Sequence, residues 1–151
     1  MIKLFIDTNV VLDTIEHNRT PDWAASEETM DLAGESEYFK LCLSMKSIAD
    51  ISYVGGKMEG KDKIKTMLRN IWRDIIILPL DDMALYEALE SSCPDFEDAL
   101  QVSCAESGDC NYIVTRNKKH FGAYTDIPVY TPKEFIAKLK AASTTPSTSC
   151  I

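Results

Sequence analysis

Five short apolar runs punctuate the chain, and between them apolar residues recur at helical spacing. The first run, Ile2-Lys3-Leu4-Phe5-Ile6, has no polar break beyond Lys3 and predicts a buried strand. Asp7-Thr8-Asn9 follows with turn and cap chemistry, and Asn9 is the expected N-cap of a helix over about 10–16. Thr20 and Pro21 suit the start of a second helix, reaching about Gly34. Residues 38–43 predict a second strand, and Ser44 caps a helix to Val54 that Gly55-Gly56 should end. Over 60–72, Ile64, Met67, Leu68 and Ile71 mark the buried face of another helix. Residues 75–78 form a third strand, stopped by Pro79, and Asp81 or Asp82 opens the next helix, with Met83, Ala84, Leu85, Ala88 and Leu89 apolar. A further helix starts at Ser92-Cys93-Pro94-Asp95 and runs to about Ser107-Gly108. Strands at 112–114 and 129–130 complete the set, and Thr131-Pro132 caps a last helix to about Lys140.

Strands separated by helices predict a three-layer α/β/α sandwich with a parallel sheet of four to five strands. No repeat or linker divides the chain. One domain is expected over 1–140, and the Ser/Thr-rich residues 141–151 should form a flexible tail.

The chain has 151 residues, enough for one domain with a real core. No apolar run approaches the ~20 residues that span a bilayer. The N-terminus enters a strand with no charged segment, long apolar stretch or cleavage site before it. An odd number of cysteines, five, without CxxC spacing then implies reduced thiols in the cytoplasm. Two histidines are too few for a His-rich zinc site, so any metal would be held by carboxylates, which suits Mg²⁺ or Mn²⁺.

A net charge of −8 argues against nucleic-acid binding by bulk electrostatics. The distribution changes that picture. Residues 57–73 hold six bases against Glu59 and Asp62, whereas 21–37 and 74–115 contain no Lys or Arg. Lys61, Lys65 and Arg69 stand four apart on the polar side of the helix, a row suited to successive phosphates. The same row also reads as an ordinary solvated face, or as a surface pairing with the acidic helices of a second subunit.

The acids map onto strand ends. Asp7 follows the first strand, at the sheet edge where ligands bind in open α/β folds, although Asp also caps turns there. Asp50 lies about two turns into the helix after strand two. Asp95, Glu97 and Asp98 fall in the first turn of the helix before strand four, where acids complement the helix dipole. That role suffices for Asp95 and Glu97. Asp98 neighbours Ala99, Val102 and Ala105, so its side of the helix packs inward and its carboxylate needs a partner. A metal shared with Asp7 would supply one.

Phe5-Ile6-Asp7-Thr8-Asn9-Val10-Val11-Leu12-Asp13, Asp95-Phe96-Glu97-Asp98-Ala99-Leu100 and Ile113-Val114-Thr115-Arg116-Asn117-Lys118-Lys119-His120-Phe121 together resemble a PIN domain. Residues 127–135 also resemble the end of a small bacterial PIN protein, so the likeness covers about 1–140. The resemblance implies a Mg²⁺- or Mn²⁺-dependent ribonuclease, often the toxin of a toxin–antitoxin pair. By position, Asp7 matches the first family acid, Asp50 the second (usually Glu) and Asp98 the third. Asn117 stands where many members carry a fourth acid, and it offers a carbonyl but no charge. The catalytic residues expected are therefore Asp7, Asp50 and Asp98, with Asn117 as a further metal ligand. A homodimer and an antitoxin peptide whose basic side chain enters the acidic groove are also implied.

The chemistry is coherent on its own terms. Clustered carboxylates holding one or two Mg²⁺ can activate water and stabilise charge on a phosphodiester. Thr8, Asn9 and Thr115 are suited to orient the ligands, and Asp95 and Arg116 to support the site or contact substrate. Lys118, Lys119 and His120 can meet flanking phosphates or form a solvated loop. Lys61, Lys65 and Arg69 are the expected RNA-binding row. The alternative is a catalytically weak PIN-like module that binds metal or RNA without efficient cleavage, which Asn117 permits. A haloacid-dehalogenase-like enzyme would need Asp at position 9, and a nucleotide-binding fold a glycine-rich first turn; neither is present.

Overall fold

β1 (Ile2–Ile6) runs through the middle of a five-stranded sheet, with Leu4, Phe5 and Ile6 wholly buried. A computed structural model describes residues 1–143. The strand order is β3-β2-β1-β4-β5, where β2 is Phe39–Ser44, β3 Ile75–Leu78, β4 Tyr112–Val114 and β5 Val129–Tyr130. Every neighbouring pair is parallel, with Phe5 opposite Cys42 on one side and Ile113 on the other. Alternation along the strands sends Leu4, Ile6, Leu41, Leu43 and Val114 to one layer, and Phe5, Cys42 and Ile113 to the other. Helices α1 (Thr8–Ile15), α2 (Trp23–Gly34), α5 (Lys61–Ile71) and α9 (Pro132–Ser143) cover the first layer through Val10, Ala33, Ile64 and Phe135. Helices α7 (Phe96–Ser107) and α8 (Lys118–Gly122) cover the second through Val102, Ala105 and Phe121. α6 (Asp82–Glu90) packs on α7. The expected three-layer α/β/α sandwich is the fold.

The chain starts at the central strand, moves outward to β3, then returns to β4 on the other side of β1. That reversal opens a crevice beyond the carboxyl ends of β1 and β4.

Several element ends differ from expectation, each for a local reason. Asn9 lies inside α1, and Asp7 takes the cap position in an extended conformation with its carboxylate engaged elsewhere. Thr20 and Pro21 belong to the turn before α2, with Thr20 Oγ1 accepting from Asp22 N at 3.3 Å. Gly55-Gly56 do not end the third helix. α3 (Met45–Asp50) passes into a π-helical turn (Ile51–Gly55) and then α4 (Gly56–Glu59). A Cβ on Gly55 would stand 3.1 Å from Ile64 Cδ1, so glycine there admits the close approach of α5. The stop falls at Gly60, whose φ of 92° suits glycine alone. Residues 118–122, where no element is expected, form α8, anchored by the buried Phe121. α9 continues to Ser143, held at its start by a capping box in which Thr131 and Glu134 bond each other's backbone N–H. The rest of the expected tail, 144–151, lies outside the described residues. Among the described residues, Cys42, Cys93, Cys104 and Cys110 are free thiols, and no helix is long and apolar enough to cross a membrane.

Candidate active site

The crevice is a cavity of about 340 Å³ lined by Asp7, Asp50 and Asp98, with Glu97, Lys46 and Arg19. Asp7 ends β1, and its backbone N–H donates to Val114 O at 2.9 Å, which fixes it against β4. Its Oδ2 accepts from Thr115 Oγ1 at 2.9 Å, and only 5 % of the residue is exposed. Burial pushes the Asp7 carboxyl up to about 6; the Thr115 hydroxyl opposes the rise and the Asp98 charge adds to it. Asp98, in the first turn of α7, lies 3.3 Å from His120 Nδ1. Burial, then the Asp95 charge, holds Asp98 above the ordinary carboxylate range despite His120. Asp50 closes α3 immediately before the π-helical turn, a local distortion frequent at functional sites.

The predicted acids thus reach one cavity from three separate elements, but they do not form a tight group. Among the described residues, no three His, Cys, Asp or Glu side chains are placed closely enough to hold a metal ion. Each acid is drawn to its own neighbour: Asp7 to Thr115, Asp98 to His120, and Asp50 to Lys46 Nζ at 2.5 Å. Lys46 also reaches Glu97 Oε2 at 3.7 Å. Burial alone would depress Lys46, but Asp50 and Glu97 outweigh it and hold its pKa above the ordinary value.

The other predicted residues divide. Thr8 and Asn9 line the cavity. Thr8 Oγ1 lies 2.8 Å from Ser47 Oγ and accepts from Gln101 Nε2 at 3.1 Å, inside a buried network closed by Ser44. Thr115 braces Asp7 and also accepts from Asn117 N at 3.0 Å. Asn117 and Arg116 do not line this cavity; with Lys118, Lys119 and His120 they line a neighbouring depression. Asp95 is the N-cap of α7, accepting from Glu97 N at 2.9 Å and Asp98 N at 3.2 Å, so it sets the turn that presents Asp98. Lys61, Lys65 and Arg69 are exposed on α5 and do not line the cavity.

Lys46, Gln101, Arg19 and Asp13 were not foreseen. Asp13 is wholly buried, accepts from Ser26 Oγ at 2.9 Å, and pairs with Arg19 Nε at 3.5 Å and Arg116 Nε at 3.3 Å. Arg19 also donates to Asn9 Oδ1 at 2.9 Å. The available signal was an acid directly after Val10-Val11-Leu12, which must find partners if that run is core.

The donor set suits one hard divalent cation. Asp7 and Asp98 supply carboxylate oxygen, and burial, which outweighs the Thr115 hydroxyl and the more distant Arg116 charge at Asp7, leaves that carboxylate in need of a cation. Mg²⁺ keeps several waters and needs only one or two protein carboxylates.

The sequence profile described as PIN domain matches residues 3–119, and the chain belongs to the PIN domain family. No curated protein sequence matches it. Solved structures share its fold. VapBC2 from Rickettsia felis, bound to a DNA fragment from its promoter, superposes with a TM-score of 0.65 at 17% identity, covering 86% of this chain and 98% of that one. DNA-bound VapBC from Salmonella typhimurium gives 0.63 at 18% identity, covering 87% and 99%. VapC20 from Mycobacterium tuberculosis, described as a sarcin–ricin loop cleaving toxin, gives 0.63 at 8% identity, covering 82% and 98%.

Proposed function

We propose that this protein is a metal-dependent endoribonuclease that hydrolyses RNA phosphodiesters, and the toxin of a toxin–antitoxin pair. The observation that carries this reading is the arrival of Asp7, Asp50 and Asp98, from β1, α3 and α7, at one cavity on the reversal point of the sheet. Asp7 and Asp98 are the carboxylates that would hold Mg²⁺ or Mn²⁺, with Asp50 beside them. The bound ion would supply Lewis acidity toward a phosphate oxygen and toward water. Thr115 fixes the Asp7 carboxylate, Asp95 fixes the turn bearing Asp98, and Arg19 places a guanidinium in the cavity wall within reach of a phosphate. The exposed row Lys61, Lys65 and Arg69 supports an RNA path along α5.

An antitoxin partner is supported by the negative cavity, which fits an inserted Arg or Lys. A homodimer is supported by α6, where Met83, Leu85, Tyr86 and Leu89 are all exposed, an apolar face suited to a second copy. The cytoplasm is the compartment that fits free cysteines.

The test is cleavage of total RNA by purified protein with Mg²⁺ or Mn²⁺. Asp7→Asn should lower the rate by more than about 100-fold, since even ligand-orienting residues contribute 10–100-fold at metal sites. Equal rates for both proteins would sink the reading. One observation favours the second reading, a module that binds metal or RNA without efficient cleavage: Asp50 is already paired with Lys46. Under that reading wild type binds Mn²⁺ but releases no RNA fragments.

A further inference from the structure

The cavity is electrostatically divided. Asp50 and Glu97 share the ammonium of Lys46, whereas Asp7 is bonded by the Thr115 hydroxyl and Asp98 by the His120 ring, with Arg116 acting on Asp7 only as the smallest of the charges and bonds around it. Lys46 is anchored in that position. It stands one helical turn before Asp50 on α3, its side chain is only 18 % exposed, and it spans from α3 to the first turn of α7. Glu97 extends into solvent, 76 % exposed, so its carboxylate is the movable member of the trio. The second cationic group in the wall, Arg19, contacts Asn9 and Asp13 rather than Asp50 or Glu97.

Two divalent ions about 4 Å apart would need carboxylates on both sides of the cavity. Half of that supply is taken by an ammonium that belongs to the chain. Resting on the metal-nuclease reading above, we propose that Lys46 is the second cation of this site: one divalent ion binds, on Asp7 and Asp98, and the Lys46 ammonium stands where a second ion would otherwise sit, between Asp50 and Glu97. Lys46 is then a positioning residue. It fixes Asp50 and Glu97 and sets the metal stoichiometry at one. A fixed ammonium also has no affinity to lose at low magnesium, so only one ion must be recruited to the cavity.

The experiment counts bound ions in the full chain. Purified protein is titrated with Mn²⁺, and free Mn²⁺ is read by its electron paramagnetic resonance signal, without RNA. Wild type should saturate at one ion per chain. Lys46→Met, which keeps the length of the stem and removes the charge, should saturate at two, because Asp50 and Glu97 are released. Lys46→Arg should stay at one. Lys46→Gln is carried in parallel, so that misfolding of the Met variant leaves the count readable. Two ions on wild type, or one on both neutral variants, would overturn the inference and leave the nuclease reading standing. No ion on any of the proteins would overturn both.

Discussion

Asp7 keeps a proton to about pH 6, two units beyond an ordinary aspartate, because its carboxylate is buried at the end of β1. The folded pKa lies above the unfolded value of 3.8, so the folded state binds the extra proton and stability falls as pH rises through this window. Above pH 6 the full penalty applies, about 3 kcal/mol from the shift at 1.36 kcal/mol per unit. Asp7→Asn keeps an acceptor for Thr115 and removes the charge. The metal-free variant should therefore be more stable than wild type at pH 7, by up to that amount, with the gain disappearing near pH 4; urea unfolding at several pH values measures it. A variant no more stable at pH 7 would mean that the buried charge is already compensated. Asp7 and Asp98 were legible from a strand end and an inward helix face, whereas Asp50 was singled out only by the resemblance to the family. Lys46 and Asp13 carried weaker signals, an i,i+4 spacing to Asp50 and an acid after an apolar run, and their further partners Glu97 and Arg116 come from remote parts of the chain. Asn117 donates its backbone N–H to Thr115 and lines the neighbouring depression, a placement its position after strand four did not specify.

Ser44 joins two elements of the site. Its Oγ accepts from Ser47 N at 3.0 Å, capping α3, and donates to Gln101 Oε1 of α7 at 2.5 Å. Ser44→Ala should cost about 2–4 kcal/mol, the loss of a cap plus a buried amide oxygen left without a donor. It should also weaken Mn²⁺ binding, because α3 and α7 carry Asp50 and Asp98; thermal melting and the Mn²⁺ titration check both parts. A variant as stable as wild type would show that Gln101 finds another partner. Strand positions were readable from their apolar runs, and helices from periodic stripes such as Ile64, Met67, Leu68 and Ile71. Helix ends were less readable. Gly55 and Gly60 look alike in sequence, yet one is helical and the other has φ 92°, because Ile64 packs on the first and nothing lies near the second. α8 was missed because five residues are too few for a periodic signal.

At the scale of the molecule, an acidic protein is proposed to bind a polyanion, which places the burden on α5. Reversing Lys61, Lys65 and Arg69 to Glu should weaken RNA binding and lower the slope of log affinity against log salt by about 2, as expected for three lost phosphate contacts on a single strand. Oligomer size, read by sedimentation, should not change. A triple variant that becomes monomeric and still binds RNA normally would make the row an interface instead. The sheet order has one more outcome, in time rather than space. β1 is made before its neighbour β4, which comes more than a hundred residues later, so the bond from Thr115 to Asp7 spans 108 positions. A nascent chain that has emerged only as far as β3 already carries Asp7 and Asp50, but neither Asp98 nor the hydroxyl that orients Asp7. Such distant pairing is slow to form and comes late. The proposed nuclease therefore stays unable to cut RNA until β4 has been made and has joined β1.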